Sequence, residues 1–329
     1  MKFSRRNMLG SSAAMLTVVA FPNIAHSQIQ SKPSKIVIGF APGGGTDALA
    51  RALAEALKTS FSGGIVVDNK AGASGRLAMQ AVKAAQPDGT TLLFTPDFTL
   101  TVYPHTFSKL GYDPINDFVP VALAAKSGYA LCAGPAVPTS VKSPSDYIAW
   151  VKANPNSNSF GSSGAGTTLH FAGAMLEYAS GVKLNHVPYK GGSQSMQDVM
   201  GGQIPVSINA VGEALPMHNA GRIRVLGTFG ATRNPFLPNS PTMVESGFKD
   251  VISEAWLAFF VPPKTPADYV NRLASAINQV TSSAELRERF AKFGMETVTG
   301  NSSELAELVA SDTKRWAPVI KSIGFKAEE

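Results

Sequence analysis

The sequence predicts a two-lobed α/β protein, and three observations carry that expectation. Short apolar runs alternate with segments of helical spacing, the pattern of a mostly parallel sheet with helices on its faces. That pattern occurs twice along the chain. A long, nearly continuous apolar run at 118–133 separates the two sets. At 329 residues with 44% apolar composition, the chain is long enough for two such blocks and too apolar for wholesale disorder.

The elements follow in order. Residues 35–40 are an apolar β run, glycines punctuate 43–45, and 48–58 is Ala/Leu-rich with helical spacing. A second strand at 65–68, a helix over 75–85 stopped by Pro87, Asp88 and Gly89, and a third strand at 91–94 complete the first set. The second set predicts helices at 146–152, 167–179 and 193–200, with strands at 158–160, 184–187, 206–209 and 222–229. A strand at 257–261 and two amphipathic helices, 267–281 and 303–321, close the chain. Crossings near 126–130 and 228–234 make a two-segment hinge. The expected division is a signal at 1–27, a first lobe of 28–127 plus 233–329, and a second lobe of 128–232.

The first 27 residues carry Lys2, Arg5 and Arg6 and no acid, then an apolar stretch at 11–21 and a small-x-small site at Ala25, His26 and Ser27. This is the build of an export signal, with Arg5 and Arg6 giving it a partial twin-arginine character. The apolar part is shorter than the roughly 20 residues a bilayer span needs. The exported chain is therefore expected to be periplasmic and not membrane-embedded. Without the three leader cations the net charge falls from +6 to +3, which excludes a nucleic-acid footprint. The single cysteine, Cys132, sits between apolar neighbours and reads as a buried small hydrophobe.

The densest candidate site follows the first strand: Phe40, Ala41, Pro42, Gly43, Gly44, Gly45, Thr46 and Asp47. Glycines allow close backbone approach, and the first helical turn leaves N–H groups for an anion. Asp47 fits either a helix cap or an acceptor for a ligand amine or waters. Gly43, Gly45 and Ala48, with Asp68 twenty residues on, also fit a dinucleotide fingerprint, which leaves an exported NAD-type oxidoreductase as an alternative. The second set repeats the idea at Ser162, Ser163, Gly164, Thr167 and Thr168, with His170 in the following turn. Neither a nucleophile elbow nor a phosphate-binding loop is spelled there. Asn69 and Ala73 follow the second strand, Thr95 ends the third, and Tyr189, Lys190 and Gly191 follow the strand at 184–187. Tyr189 fits a cleft residue or a packing residue equally. The histidines lack metal-site spacing, so no metal is expected, and with no hydride-transfer constellation, nucleophile with a partner or acid pair in view, no cofactor or catalytic residue is expected.

Taken in order, these motifs resemble the Bug family, the periplasmic solute-binding proteins of tripartite tricarboxylate transporters. The resemblance also covers His186 to Gly191, the 238–247 segment, Trp256 and the Phe260 to Pro266 stretch. It implies a type II periplasmic-binding-protein (Venus flytrap) fold, a small organic acid as ligand, membrane transporter subunits as partners, and no catalysis. In the family the loop matching 41–47 helps to hold one carboxylate, partly through water, and loops matching 69–73, 162–168 and 189–191 complete the cleft. Asn209 stands where many relatives have Asp, and Val211, Gly212 and Glu213 stand where a plainer small or apolar stretch is common. A periplasmic sensor module would use the same cleft.

Overall fold

The computed structural model describes residues 29–43, 45–189 and 191–326. The expected export signal, Gly44 and Lys190 lie outside the described residues. The first set of elements comprises β1 (Ser34–Ile38), α1 (Gly45–Leu57), β2 (Ile65–Asn69), α2 (Arg76–Lys83), β3 (Thr91–Pro96) and the short α3 (Phe98–Thr101) and α4 (Tyr103–Thr106). Then come β4 (Val119–Ala133), α5 (Pro144–Ala153), β5 (Ser159–Ser162), α6 (Thr168–Ser180), β6 (Asn185–Pro188), α7 (Gly192–Met200) and β7 (Val206–Ala210). The chain continues through α8 (Val211–Asn219), β8 (Arg224–Thr228), β9 (Glu254–Val261), α9 (Ala267–Thr281), α10 (Ala284–Ala291), β10 (Glu296–Thr297) and α11 (Ser302–Ile323).

Strand order runs β2-β1-β3-β9-β4-β7-β5-β6. β1 pairs parallel with both β2 and β3, and β5 pairs parallel with both β6 and β7. The long apolar run of the sequence is a single 15-residue strand, β4, that belongs to both lobes. Its first part, Val119 to Gly128, pairs with β9, and Tyr129 to Ala133 pair with β7 and β8. Helices and neighbouring strands cover both faces of β4, so it reads as continuous hydrophobicity rather than as alternation.

The cores follow from the strand period of two. Ile36 and Ile38 enter one first-lobe cluster with Leu53, Phe94, Phe259 and Leu273, while Val37 enters another with Leu93, Trp256 and Phe260. In the second lobe Leu131 and Cys132 diverge in the same way, into the clusters of Phe160 and of Val199. Cys132 is fully buried, which pushes its thiol well above the usual range.

Several features differ from the sequence expectation, the short α3, α4 and β10 among them. Helix α8 was not expected, because Gly212 and Pro216 interrupt its pattern, and α10 splits off from α9 at Ser283, whose hydroxyl caps it. The segment expected to have rejoined the first lobe by 233 still supplies Met243 and Val251 to the second-lobe core. The Ser253 N–H donates to the Phe229 carbonyl just before β9 begins. Helix α11 spans the two lobes: Leu305 and Val309 pack on the first, Trp316 and Ile320 on the second.

Candidate functional site

Because β1–β3 run parallel, their carboxyl ends present loops 39–43, 70–75 and 97 on one edge. The parallel β5–β7 present 163–167, 189, 191 and 211 likewise. Such edges are where open α/β sheets bind ligands.

Asp47 organises the first lobe's edge. Its carboxylate accepts the Gly43 N–H (2.9 Å), Arg51 Nε (3.0 Å) and Asn69 Nδ2 (2.9 Å). Asn69 also donates to the Phe40 carbonyl (3.0 Å) and accepts from Arg51. The Arg51 guanidinium, ahead of the amide donors, holds the Asp47 carboxyl down at about 2. Asp47 therefore bonds back to its own loop instead of capping α1, and it locks 40–43 onto β2. Ala41, Pro42, Gly43 and Gly45 remain exposed on this locked loop, with Thr46 half-buried. Phe40 packs edge-on against Phe98. Across the edge, Ala73 and Ser74 both hold left-handed backbone (φ 46° and 55°), a strain that needs support from its surroundings. Arg76 and Tyr103 supply it by donating to the Ala73 and Ser74 carbonyls. Thr95 is buried and its hydroxyl pairs with Thr99 beneath the loop.

The second lobe's edge is built around histidines whose role the sequence did not reveal. Ser162 Oγ lies 2.7 Å from His186 Nε2 and donates to the Gly164 carbonyl. His186 stacks on His170 with ring centroids 3.9 Å apart. Burial first, and then the neighbouring His170, lower His186 to about 4, and burial lowers His170 as well, so both rings are neutral near pH 7. Thr167 caps α6 by accepting the His170 N–H. Thr168 is buried and shares a 2.6 Å hydroxyl contact with Tyr129 on the hinge strand. Ser163 and Gly164 are half-buried.

Three glycine amides of these loops, two of them at expected ligand positions, are already taken: Gly43 by Asp47, Gly164 by Ser162 and Gly166 by His170 Nδ1. The Tyr189 hydroxyl donates to Asp198 on α7 (2.7 Å), so it braces a helix. Asn209, fully buried, donates to Ser207 and accepts from Ser195, tying α7 to β7. Gly191 precedes α7.

Between the lobes, Asp97 is buried, with Oδ2 lacking a partner, and is pushed up to about 8 by burial and then by the charge of Asp312. Asp312 in turn accepts Trp256 Nε1 and Arg315, linking α11 to β9. Of the dinucleotide fingerprint, the Gly43 N–H is accepted by ionised Asp47, and Asp68 is ion-paired with Lys35 and Lys70 (3.4 and 3.5 Å). No group of three or more potential metal ligands occurs among the described residues. A cavity of about 810 Å³ lies between α6, the 247–251 loop and α11, and none of the loops above lines it.

A two-lobed α/β chain with paired loop clusters at its strand ends has the architecture of a solute-binding receptor. The chain belongs to the tripartite tricarboxylate transporter family receptors (TctC), whose sequence model it matches over residues 49–325. BugT of Bordetella pertussis is 29% identical over 297 residues, 90% of each chain. Two solved structures are similar throughout. R. palustris Rpa4515 with adipate is 28% identical, with a TM-score of 0.74 over 90% of this chain and 98% of that one. MatC (Rpa3494) from Rhodopseudomonas palustris with bound malate is 28% identical, with a TM-score of 0.69 over 88% and 99%.

Proposed function

We propose that this chain is an extracytoplasmic receptor that captures a small carboxylate-bearing metabolite and hands it, unchanged, to the membrane subunits of a tripartite tricarboxylate-type transporter. The observation that carries this reading is the Asp47–Asn69–Arg51 lock, which holds an exposed glycine-rich backbone at the opening of α1. A loop fixed before the ligand arrives loses little entropy on binding; Asp47 takes the Gly43 amide, and the exposed backbone that remains at the helix opening suits a carboxylate reached directly or through water. Two similar structures hold adipate and malate, both carboxylates. The basic, apolar leader supports export, and no helix among the described residues is long and apolar enough to cross a membrane.

In this mechanism the solute docks on the first lobe and closure brings the 162–168 and 189–191 loops onto it. Closure requires the solute to favour the closed state over the open one. Phe40, Ala41, Pro42, Gly43, Thr46, Asn69 and Ala73 form the first face, with Asp47 as its organiser. Ser163, Gly164, Thr167, His170 and Gly191 form the second. Calorimetry of the purified exported chain against di- and tricarboxylates, aromatic acids, amino acids and sugars tests the reading. Micromolar or tighter binding of at least one carboxylate is expected. Binding confined to sugars or cationic peptides overturns it.

A further inference from the structure

Helices α6, α7 and α8 all open on the same edge of the second lobe, because β5, β6 and β7 are parallel. Glu213 stands in the first turn of α8. A Cβ built on Gly192, the first residue of α7, would stand 2.0 Å from Glu213 Oε2 and 3.0 Å from Asn209 Oδ1. Two acceptor oxygens thus converge on the opening of α7. The direction of Asn209 is fixed by its bond to Ser207 and by the hydroxyl of Ser195. Glu213 is exposed and forms no hydrogen bond or ion pair with any described residue, and the packing on one side of its carboxyl raises it above the usual range by desolvation.

The position is at the seam between lobes. A Cβ on Gly212 would lie 2.3 Å from the Phe293 carbonyl oxygen, and one on Gly294 2.2 Å from Gly212 Cα. Ser127 on the hinge strand donates to the Gly294 carbonyl. The first turn of α8 is therefore pressed against a turn of the first lobe.

A helix opening ordinarily favours an anion. At α7 the protein supplies that anion itself. A second carboxylate on the solute would meet a like charge there, whereas an ammonium or hydroxyl would meet the exposed Glu213 carboxylate as its acceptor, Asn209 being buried and already bonded to Ser195. We propose that Glu213 sets the specificity for the far end of the solute, so that the cleft takes a monocarboxylate ending in a hydrogen-bond donor, an ammonium above all, and discriminates against dicarboxylates. This rests on the reading that the first lobe holds one carboxylate.

The test is calorimetry with matched pairs of three to six carbons, each pair an ω-amino acid and the dicarboxylate of equal length, from β-alanine and malonate to 6-aminohexanoate and adipate. The exported chain is expected to bind the amino acid of the best-fitting pair at least tenfold more tightly than its dicarboxylate. Glu213→Gln is expected to narrow that ratio below threefold, and Glu213→Asp to keep part of it, with circular dichroism confirming that both variants fold. Equal or tighter dicarboxylate binding by the unaltered chain, or a preference that survives Glu213→Gln, overturns the inference. So does binding of other carboxylates with no preference for an amine. If no carboxylate binds at all, it is the receptor reading itself that fails.

Discussion

The two faces of the cleft are built on opposite principles. On the first lobe, one buried carboxylate, Asp47, takes three donors and leaves Ala41, Pro42, Gly43 and Gly45 exposed on a held loop. On the second, the loops are held by neutral groups, the His170–His186 stack and the Ser162 and Thr168 hydroxyls, while the exposed Glu213 carboxyl has no partner among the described residues. A saturated network is rigid and indifferent to what lies at the far end of a solute. An unsaturated one acquires its full set of bonds only with a ligand. In the proposed mechanism that contrast gives docking to the first lobe and discrimination to the second.

The largest test of that contrast is Asp47→Ala. It leaves Gly43, Asn69 and Arg51 without their acceptor, and the expected cost is about 2–3 kcal/mol in urea unfolding. The same change should lower solute affinity by about a hundredfold or more, because the docking loop loses its shape. Unchanged affinity would mean that the lock does not organise the site. The folded carboxyl lies near 2 against an ordinary value of 3.8. Its stabilisation is therefore present above about pH 4 and lost as pH falls through 2.

Gly212→Val comes next. Its Cβ would collide with the Phe293 carbonyl across the seam, and overpacking of this kind costs about 1–3 kcal/mol. Small-angle scattering in saturating solute should show a larger radius of gyration than for the unaltered chain. If the two profiles superimpose, the seam is not part of closure.

Tyr129→Phe removes the buried hydroxyl that meets Thr168. A loss of about 1–2 kcal/mol is expected, together with weaker binding, since α6 opens on the second face. The smallest effect is the pH response of His186. Its folded value of about 4 lies below the ordinary 6.5, so the unfolded chain protonates first. The stabilisation is complete above about pH 6.5 and lost progressively down to pH 4. Allowing for partial exposure, unfolding at pH 7.5 and pH 4.5 should differ by about 1–2 kcal/mol from this group. His186→Gln should remove that part of the difference. In the unaltered chain, a ring signal titrating near 6.5 in NMR would contradict the buried stack.

Much of the architecture was legible because it depends on local pattern. Short apolar runs before glycine-rich helix openings announced β1–α1, β5–α6 and β6–α7, and Thr167 and Gly181 bound α6 as expected. What stayed hidden depends on long-range register. The Asp47–Asn69 bond joins residues 22 apart. The histidine stack exists because β5 and β6 pair with Phe160 opposite His186, bringing the strand beside the first turn of α6. Helix α8 was hidden by its own Gly212 and Pro216; Glu213 stood out in the sequence as a departure from the family pattern, but its place beside the opening of α7 did not. The reach of α11 across both lobes follows from Leu305 and Val309 on one part and Trp316 and Ile320 on the next. Its amphipathic pattern names a buried stripe without naming what buries it.

The division of labour rests on the solute's carboxylate being held by the first lobe. The most direct measurement is a crystal structure of the exported chain with the tightest carboxylate found by calorimetry. The expected result is a closed cleft with that carboxylate within about 3 Å of the 41–46 backbone, directly or through one water. A carboxylate seated on the second lobe alone, or in the cavity between α6 and α11, would contradict it.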